Sequence, residues 1–293
     1  MQKPSGISKS PDDIDTMAEK VEVTLDIEYP SIYKRNTFDH YKPISNDNGT
    51  YIVWLHGGAF ISQNSSNVKD YGVMLASHGY NVIAMNYAHA PENIFPAQVL
   101  QIDSVIELLN SQYDIKHLVL AGDSSGATIA ASYATTQDNQ ALQETLDIKL
   151  QEQTKINAML LFCGIYDFTE DWKNKELKDT KKLMKYIAWA YLGQKRWRKK
   201  EKKFYASPID NISGNFPPTY IVDGGMRSFL WQAENFVEKL KKEGVDVESH
   251  FFEEMPHQFQ HHFQRYPKES MEVFHEVLEF LNRKVDKGEV YEK

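Results

Sequence analysis

From residue 51 onward the chain keeps one rhythm: a short apolar run, a turn, then a stretch with helical periodicity. The runs at 51–55 (YIVWL), 80–85 (YNVIAM), 117–121 (HLVLA), 157–162 (NAMLLF), 219–222 and 247–252 read as strands, those at 51–55 and 117–121 as short apolar runs that suit buried ones. Between and after them, residues 68–78, 96–109, 122–134, 231–242 and 270–284 carry helical periodicity, several of them closed by glycine. Alternation of this kind admits few folds. Strands that run the same way need a crossover, and helical crossovers cover both faces of a mostly parallel sheet. The 293 residues are enough for one such domain, and the whole chain, 1–293, reads as a single α/β unit. Functional groups in these sheets gather beyond the carboxyl ends of the strands.

One of those ends carries Gly122-Asp123-Ser124-Ser125-Gly126, a G-x-S-x-G pattern set between an apolar strand and a helix of small residues. That setting is what the pattern requires. The central serine sits on a sharp strand-to-helix turn, and the flanking glycines leave room for neighbouring backbone. The turn lifts Oγ of Ser124 clear of the sheet, with the helix N-terminus and its amides aimed at the same spot. Ser125 is off-centre in the pattern and is the weaker nucleophile candidate.

An earlier strand runs into His56-Gly57-Gly58-Ala59-Phe60. Small residues there allow backbone N–H groups to approach a developing oxyanion, with the amides of Gly58, Ala59 and Ser125 as the expected donors. His56, Gly57 and Asp123 read as supports of that loop. After the last strand comes Pro256-His257-Gln258-Phe259. His257 is placed to act as base toward Ser124, taking the hydroxyl proton and returning it to a leaving group. The other histidines nearby are His250, His261 and His262. His257 and His261 have the i,i+4 spacing of a helical metal pair, but no H-E-x-x-H glutamate accompanies them, so no metal and no cofactor is expected.

Composition removes some classes. A formal net charge of −8 disfavours non-specific binding to nucleic acid or to anionic membrane surfaces. No apolar run reaches the ~18–20 residues of a membrane span. The single cysteine, Cys163, excludes an internal disulfide, and the polar segment 1–15 lacks a signal-peptide core, which together suggest a cytoplasmic protein. One segment breaks the rhythm. Residues 170–204 combine many Lys and Arg with Trp172, Tyr186, Trp189, Tyr191 and Trp197. A nucleic-acid face has this composition, but the spacing of Leu183, Ile187 and Ala190 is that of an amphipathic helix. The favoured reading is a cap over the sheet, with cap elements at 1–45 and 165–205.

These motifs together resemble the hormone-sensitive-lipase-like family of α/β-hydrolases. HGGAF is similar to the family's oxyanion loop and GDSSG to its nucleophile elbow. Tyr87-Ala88-His89-Ala90-Pro91-Glu92 with Phe95-Pro96-Ala97, and then Ser207-Pro208 and Phe216-Pro217-Pro218, also resemble family stretches. The likeness spans 50–285. It implies an α/β-hydrolase fold with a helical cap and hydrolysis of short-chain acyl esters through an acyl-enzyme. It implies no cofactor and a small-molecule ester as partner; self-association into a homodimer is left open. The family's triad aspartate falls on Arg227. A guanidinium beside the imidazole opposes its protonation, so Arg227 must point away or serve another purpose, such as meeting a substrate that carries negative charge. Asp223, four residues earlier at the strand end, is the expected orienting acid. Ser228 as a neutral partner, Glu253 or Glu254, and a dyad without an acid are the alternatives. If the triad is disarmed, the same scaffold would serve as a small-molecule binding module.

Overall fold

The computed structural model describes residues 10–169 and 178–285. Its strands are β1 (Val21–Glu28), β2 (Thr37–Pro43), β3 (Thr50–Leu55), β4 (Asn81–Met85), β5 (His117–Asp123), β6 (Ile156–Phe162), β7 (Thr219–Met226) and β8 (Val247–Pro256). They form one sheet in the order β1-β2-β4-β3-β5-β6-β7-β8. The pairs from β4 to β8 are parallel, while β1 and β2 are antiparallel additions at one edge. The α-helices among the described residues are α1 (Ile14–Ala18), α2 (Lys69–Ser77), α3 (Ala97–Gln112), α4 (Ser125–Gln137), α5 (Gln140–Leu146), α6 (Lys178–Leu192), α7 (Lys202–Tyr205), α8 (Leu230–Lys242) and α9 (Pro267–Lys284).

Alternate residues of one strand serve two cores, as the pleat demands. Val53 and Leu55 face a core shared with Ile102 of α3, Ala127 of α4 and Phe236 of α8. Ile52 and Trp54 face a second core with Met74 of α2 and Phe274 and Phe280 of α9. This is the double-sided α/β layering that the chain's rhythm predicts.

The order reverses at β3. From β3 the chain crosses to β4 on one side, then returns past β3 to β5 on the other. This reversal opens a crevice at the carboxyl ends of β3 and β5. Leu55 pairs in register with Gly122, so the HGGAF loop and the Ser124 turn leave the sheet side by side.

One segment differs from the expectation, and another lies partly outside the described residues. Residues 21–43, within the stretch 1–45 expected to be a cap element, run as β1 and β2 along the sheet edge. The alternating VEVTLDIE forms the outermost strand, and Val23 and Leu25 are exposed on it. Of the 165–205 segment expected to form a cap, residues 170–177, Trp172 among them, lie outside the described residues. Helix α6 lies against the loops that follow β3 and β4. Phe60 stacks face to face on Tyr191 at 3.9 Å, the amide of Phe95 donates to the carbonyl of Tyr191 at 2.9 Å, and Gly193 abuts Ile94. No helix among the described residues is long and apolar enough to cross a membrane.

Candidate active site

Ser124 stands at the junction of β5 and α4 with φ 53° and ψ −118°. A non-glycine residue adopts this strained geometry only where its surroundings impose it. Here the glycines on either side impose it. A Cβ on Gly122 would lie 2.5 Å from the backbone of Gly126, and one on Gly126 would run into the carbonyl of Leu55. The amide of Ser124 is fixed by the Phe162 carbonyl at 2.7 Å. Ser124 keeps 8% of its surface exposed, whereas Ser125 has none; only the central serine can meet a substrate.

His257 follows β8 and is half-buried. Its Nε2 lies 3.0 Å from Oγ of Ser124. Its Nδ1 lies 2.8 Å from Oγ of Ser228, and that hydroxyl donates in turn to Oδ1 of Asp223. One arrangement of protons satisfies all three contacts. Ser124 donates to Nε2, Nδ1–H donates to Ser228, and Ser228 donates to Asp223. The edge of the Phe229 ring packs on the imidazole at 5.3 Å, and the His257 amide donates to the Met226 carbonyl at 3.1 Å. Burial, and next His261, hold the His257 pKa down at about 4. It is therefore a neutral base at neutral pH.

Asp223 is completely buried. Burial pushes its pKa up to about 7, against the hydrogen bonds of Ser228 and the amides of Gly224 and Phe229 that favour the carboxylate. Of the acid candidates, Asp223 meets the histidine through Ser228 rather than directly. Glu253 and Glu254 are exposed. Arg227 is also exposed, with φ 52°. The turn that buries Ser228 carries its guanidinium outward.

On the oxyanion side, Gly58 has φ +119° and Ala59 φ 56°. A Cβ on Gly58 would collide with the Ser62 carbonyl, so only glycine fits there. Ser125 begins α4, where the first amides have no partner within their own helix. Asp123 ties these pieces together. It accepts from Trp54 Nε1 at 3.1 Å and from the Gly57 amide at 2.9 Å, and it also accepts from Nε2 of Gln258. One carboxylate thus joins the turn that holds Ser124, the HGGAF loop and the loop of His257. Gln258 is a contact that the sequence reading missed; its only signal there is adjacency to His257. His56 is buried and stacked on Tyr87 at 4.4 Å. Its Nδ1 contacts the Gly57 carbonyl at 2.5 Å, and Tyr87 Oη donates to the His56 carbonyl at 2.8 Å. Burial lowers the His56 pKa to about 3, which suits a neutral support of the loop.

The remaining histidines lie elsewhere. His250 pairs with Glu276 at 2.9 Å, and His261 packs against Tyr71 and stands 3.8 Å from Asp123. Cys163, Asp223 and His257 do hold potential metal donors within 4.8 Å of one another. Both His257 nitrogens are engaged by serines, however, and burial pushes the Cys163 thiol far above its ordinary pKa. The donor set is suited to hydrogen bonding rather than to a cation.

Comparison with known proteins identifies the fold family. A family model described as alpha/beta hydrolase fold matches residues 52–261. The chain is similar to the probable carboxylic ester hydrolase LipM of Mycobacterium tuberculosis, 25% identical over 74% of this chain and 51% of that protein. It is also similar to the gibberellin receptor GID1C of Arabidopsis thaliana, 25% identical over 74% of this chain and 64% of the receptor. The chain thus spans about half the length of LipM. Among solved structures, esterase B of Lactobacillus rhamnosis superimposes with a TM-score of 0.77 at 20% identity, covering 92% of this chain and 89% of that one. At that identity the likeness is one of fold.

Proposed function

We propose, since this chain belongs to the alpha/beta hydrolase fold family, that it hydrolyses carboxylic esters with short acyl groups through an acyl-enzyme on Ser124. The observation that carries this reading is the contact of 3.0 Å between Ser124 Oγ and His257 Nε2, with the base neutral and oriented from its far side. Oγ attacks the ester carbonyl as Nε2 takes its proton. The amides of Gly58, Ala59 and Ser125 stabilise the oxyanion. The imidazolium then protonates the departing alcohol, leaving the acyl group on Ser124. Water, deprotonated by the same Nε2, attacks the acyl carbonyl and releases the acid. The positive charge on His257 is balanced by Asp223 through the Ser228 hydroxyl.

Short chains are favoured because Phe60, the residue after Ala59, fills the space behind the loop together with Phe168 and Tyr191. The buried thiol of Cys163 is in keeping with a reducing, cytoplasmic compartment. The experiment is hydrolysis of p-nitrophenyl acetate and butyrate by wild type and Ser124→Ala. Turnover that depends on Ser124 is expected. A second reading, a binding module, is favoured by the likeness to a receptor and by the indirect acid. Labelling by a fluorophosphonate separates the two, because only an activated serine reacts. A wild-type protein that neither labels nor turns over belongs to the second reading.

A further inference from the structure

The cap carries a charge that the rest of the chain does not. Residues 178–203 hold 11 of the 33 Lys and Arg but two of the 41 acidic residues. The net charge of −8 therefore conceals a strongly basic segment. Within α6, Met184, Ile187, Ala188, Tyr191 and Leu192 are buried. Lys182, Lys185, Tyr186 and Trp189 lie on the opposite, exposed side at helical spacing. Tyr186 is 50% and Trp189 40% exposed, and Ile61 of the neighbouring loop is 46% exposed. These three border an apolar groove of about 790 Å³ with Ala90, Pro91 and Ile94; Glu92 is the carboxylate in its lining. Cations sit over the exposed rings: Lys185 is 5.9 Å from the Tyr186 ring, Lys195 is 5.9 Å from that of Trp189, and Lys203 is 4.8 Å from that of Phe204.

We propose that this face of α6, with the groove beside it, docks the protein on an anionic lipid surface. Exposed Trp and Tyr beside lysines form the arrangement that settles at a headgroup boundary. There the rings enter the acyl border and the ammonium groups meet lipid phosphates. The apolar groove distinguishes this occupant from nucleic acid, which needs cations along a phosphate track and has no use for an aliphatic channel. Ile61 follows Ala59 by two residues, so the docked face adjoins the loop after β3. Docking does not depend on the hydrolytic reading and is measured without turnover.

The test is flotation of the wild-type protein with vesicles of phosphatidylcholine, with and without phosphatidylglycerol, at about 0.1 M and about 0.5 M salt. Expected is flotation with the phosphatidylglycerol vesicles alone, weakened by salt. Partitioning should fall about tenfold or more in Lys185→Glu/Lys195→Glu and likewise in Tyr186→Ala/Trp189→Ala. These side chains are exposed, and an unchanged melting temperature serves as the control for folding. No flotation with anionic vesicles overturns the proposal, and so does equal flotation with both kinds. If heparin strips the protein from vesicles while the Tyr186/Trp189 variant floats as wild type does, the face is a general polyanion patch, and the lipid proposal fails.

Discussion

The hydroxyl of Ser228 separates the imidazole of His257 from the carboxylate of Asp223, lying 2.8 Å from Nδ1 and donating to Oδ1. A direct His–Asp contact fixes the tautomer and opposes the imidazolium charge in one step, and its loss can cost about 10⁴ in kcat. On the proposed mechanism the two tasks are divided. Ser228 holds the tautomer, and Asp223 orients Ser228 and supplies charge from one group further away. Asp223→Asn is therefore expected to lower kcat by about 10², less than in a direct triad. Ser228→Ala, which strands both neighbours, should lower it at least as far. Because the three groups act as a unit, the double variant should fall no further than Ser228→Ala alone. Steady-state kinetics on p-nitrophenyl butyrate checks this. Additive losses would show that Ser228 and Asp223 act independently.

The pH dependence follows from two shifts of opposite sign. His257 is lowered from 6.5 to about 4, and Asp223 is raised from 3.8 to about 7. As pH rises through about 4 the imidazole loses its proton, and kcat/KM is expected to appear there. As pH rises through about 7 Asp223 ionises. Below that, a protonated Asp223 can donate to Ser228 and turn the relay around, placing the histidine proton on the wrong nitrogen. A second rise near 7 is therefore expected in wild type and should be missing in Asp223→Asn. A limb near 7 that survives in Asp223→Asn belongs to another group. The same two shifts act on stability, with the sign of the Asp223 effect reversed. Between 4 and 6.5 the unfolded chain binds the His257 proton more readily, so this contribution falls as pH falls. Between 3.8 and 7 the folded chain holds the Asp223 proton, so that contribution is lost as pH rises.

The sheet from β3 to β8 and its helices were legible because each buried strand is a continuous apolar run and the helices between them keep a separate period. The second edge strand, TFDHYKP, was not. Asp39 and His40 are buried in it, and they disguise the pattern; Asp39 accepts from the Asp26 amide at 3.0 Å and His40 contacts Asn81 at 3.1 Å. Likewise Ser124 and His257 announce themselves by fixed local spacing, whereas the path to Asp223 does not. It depends on which way one turn, 226–229, throws its side chains. Sequence shows that Arg227 occupies the family's acid position, but only the backbone of that turn shows that Ser228 faces inward while Arg227 faces out.

This gives a prediction at the family's own position. Arg227→Asp returns a carboxylate to the place where relatives of the hormone-sensitive-lipase-like kind keep one, yet here that place points to solvent. The substitution is expected to leave kcat on neutral esters within about twofold, in line with exposed changes generally. A gain of tenfold or more would mean that the turn can flip to present residue 227 to His257. Comparing neutral with carboxylate-bearing esters in Arg227→Ala tests the separate idea that this guanidinium meets a charged substrate. An unchanged preference removes it.

Acyl-chain length should respond to Phe60. Its ring is fully buried, stacked on Tyr191 at 3.9 Å and near Phe168 at 6.3 Å, directly after the proposed oxyanion donors. Phe60→Leu removes part of that filling without adding a polar group, at a cost in stability of about 1 kcal/mol. If Phe60 limits the acyl group, as its place directly after Ala59 suggests, p-nitrophenyl octanoate should gain on the acetate by about tenfold in kcat/KM, the worth of one or two accommodated methylenes. The ratio of the two substrates cancels any general loss of active protein. If the ratio does not move while the melting temperature falls, Phe60 packs the cap and plays no part in setting acyl length.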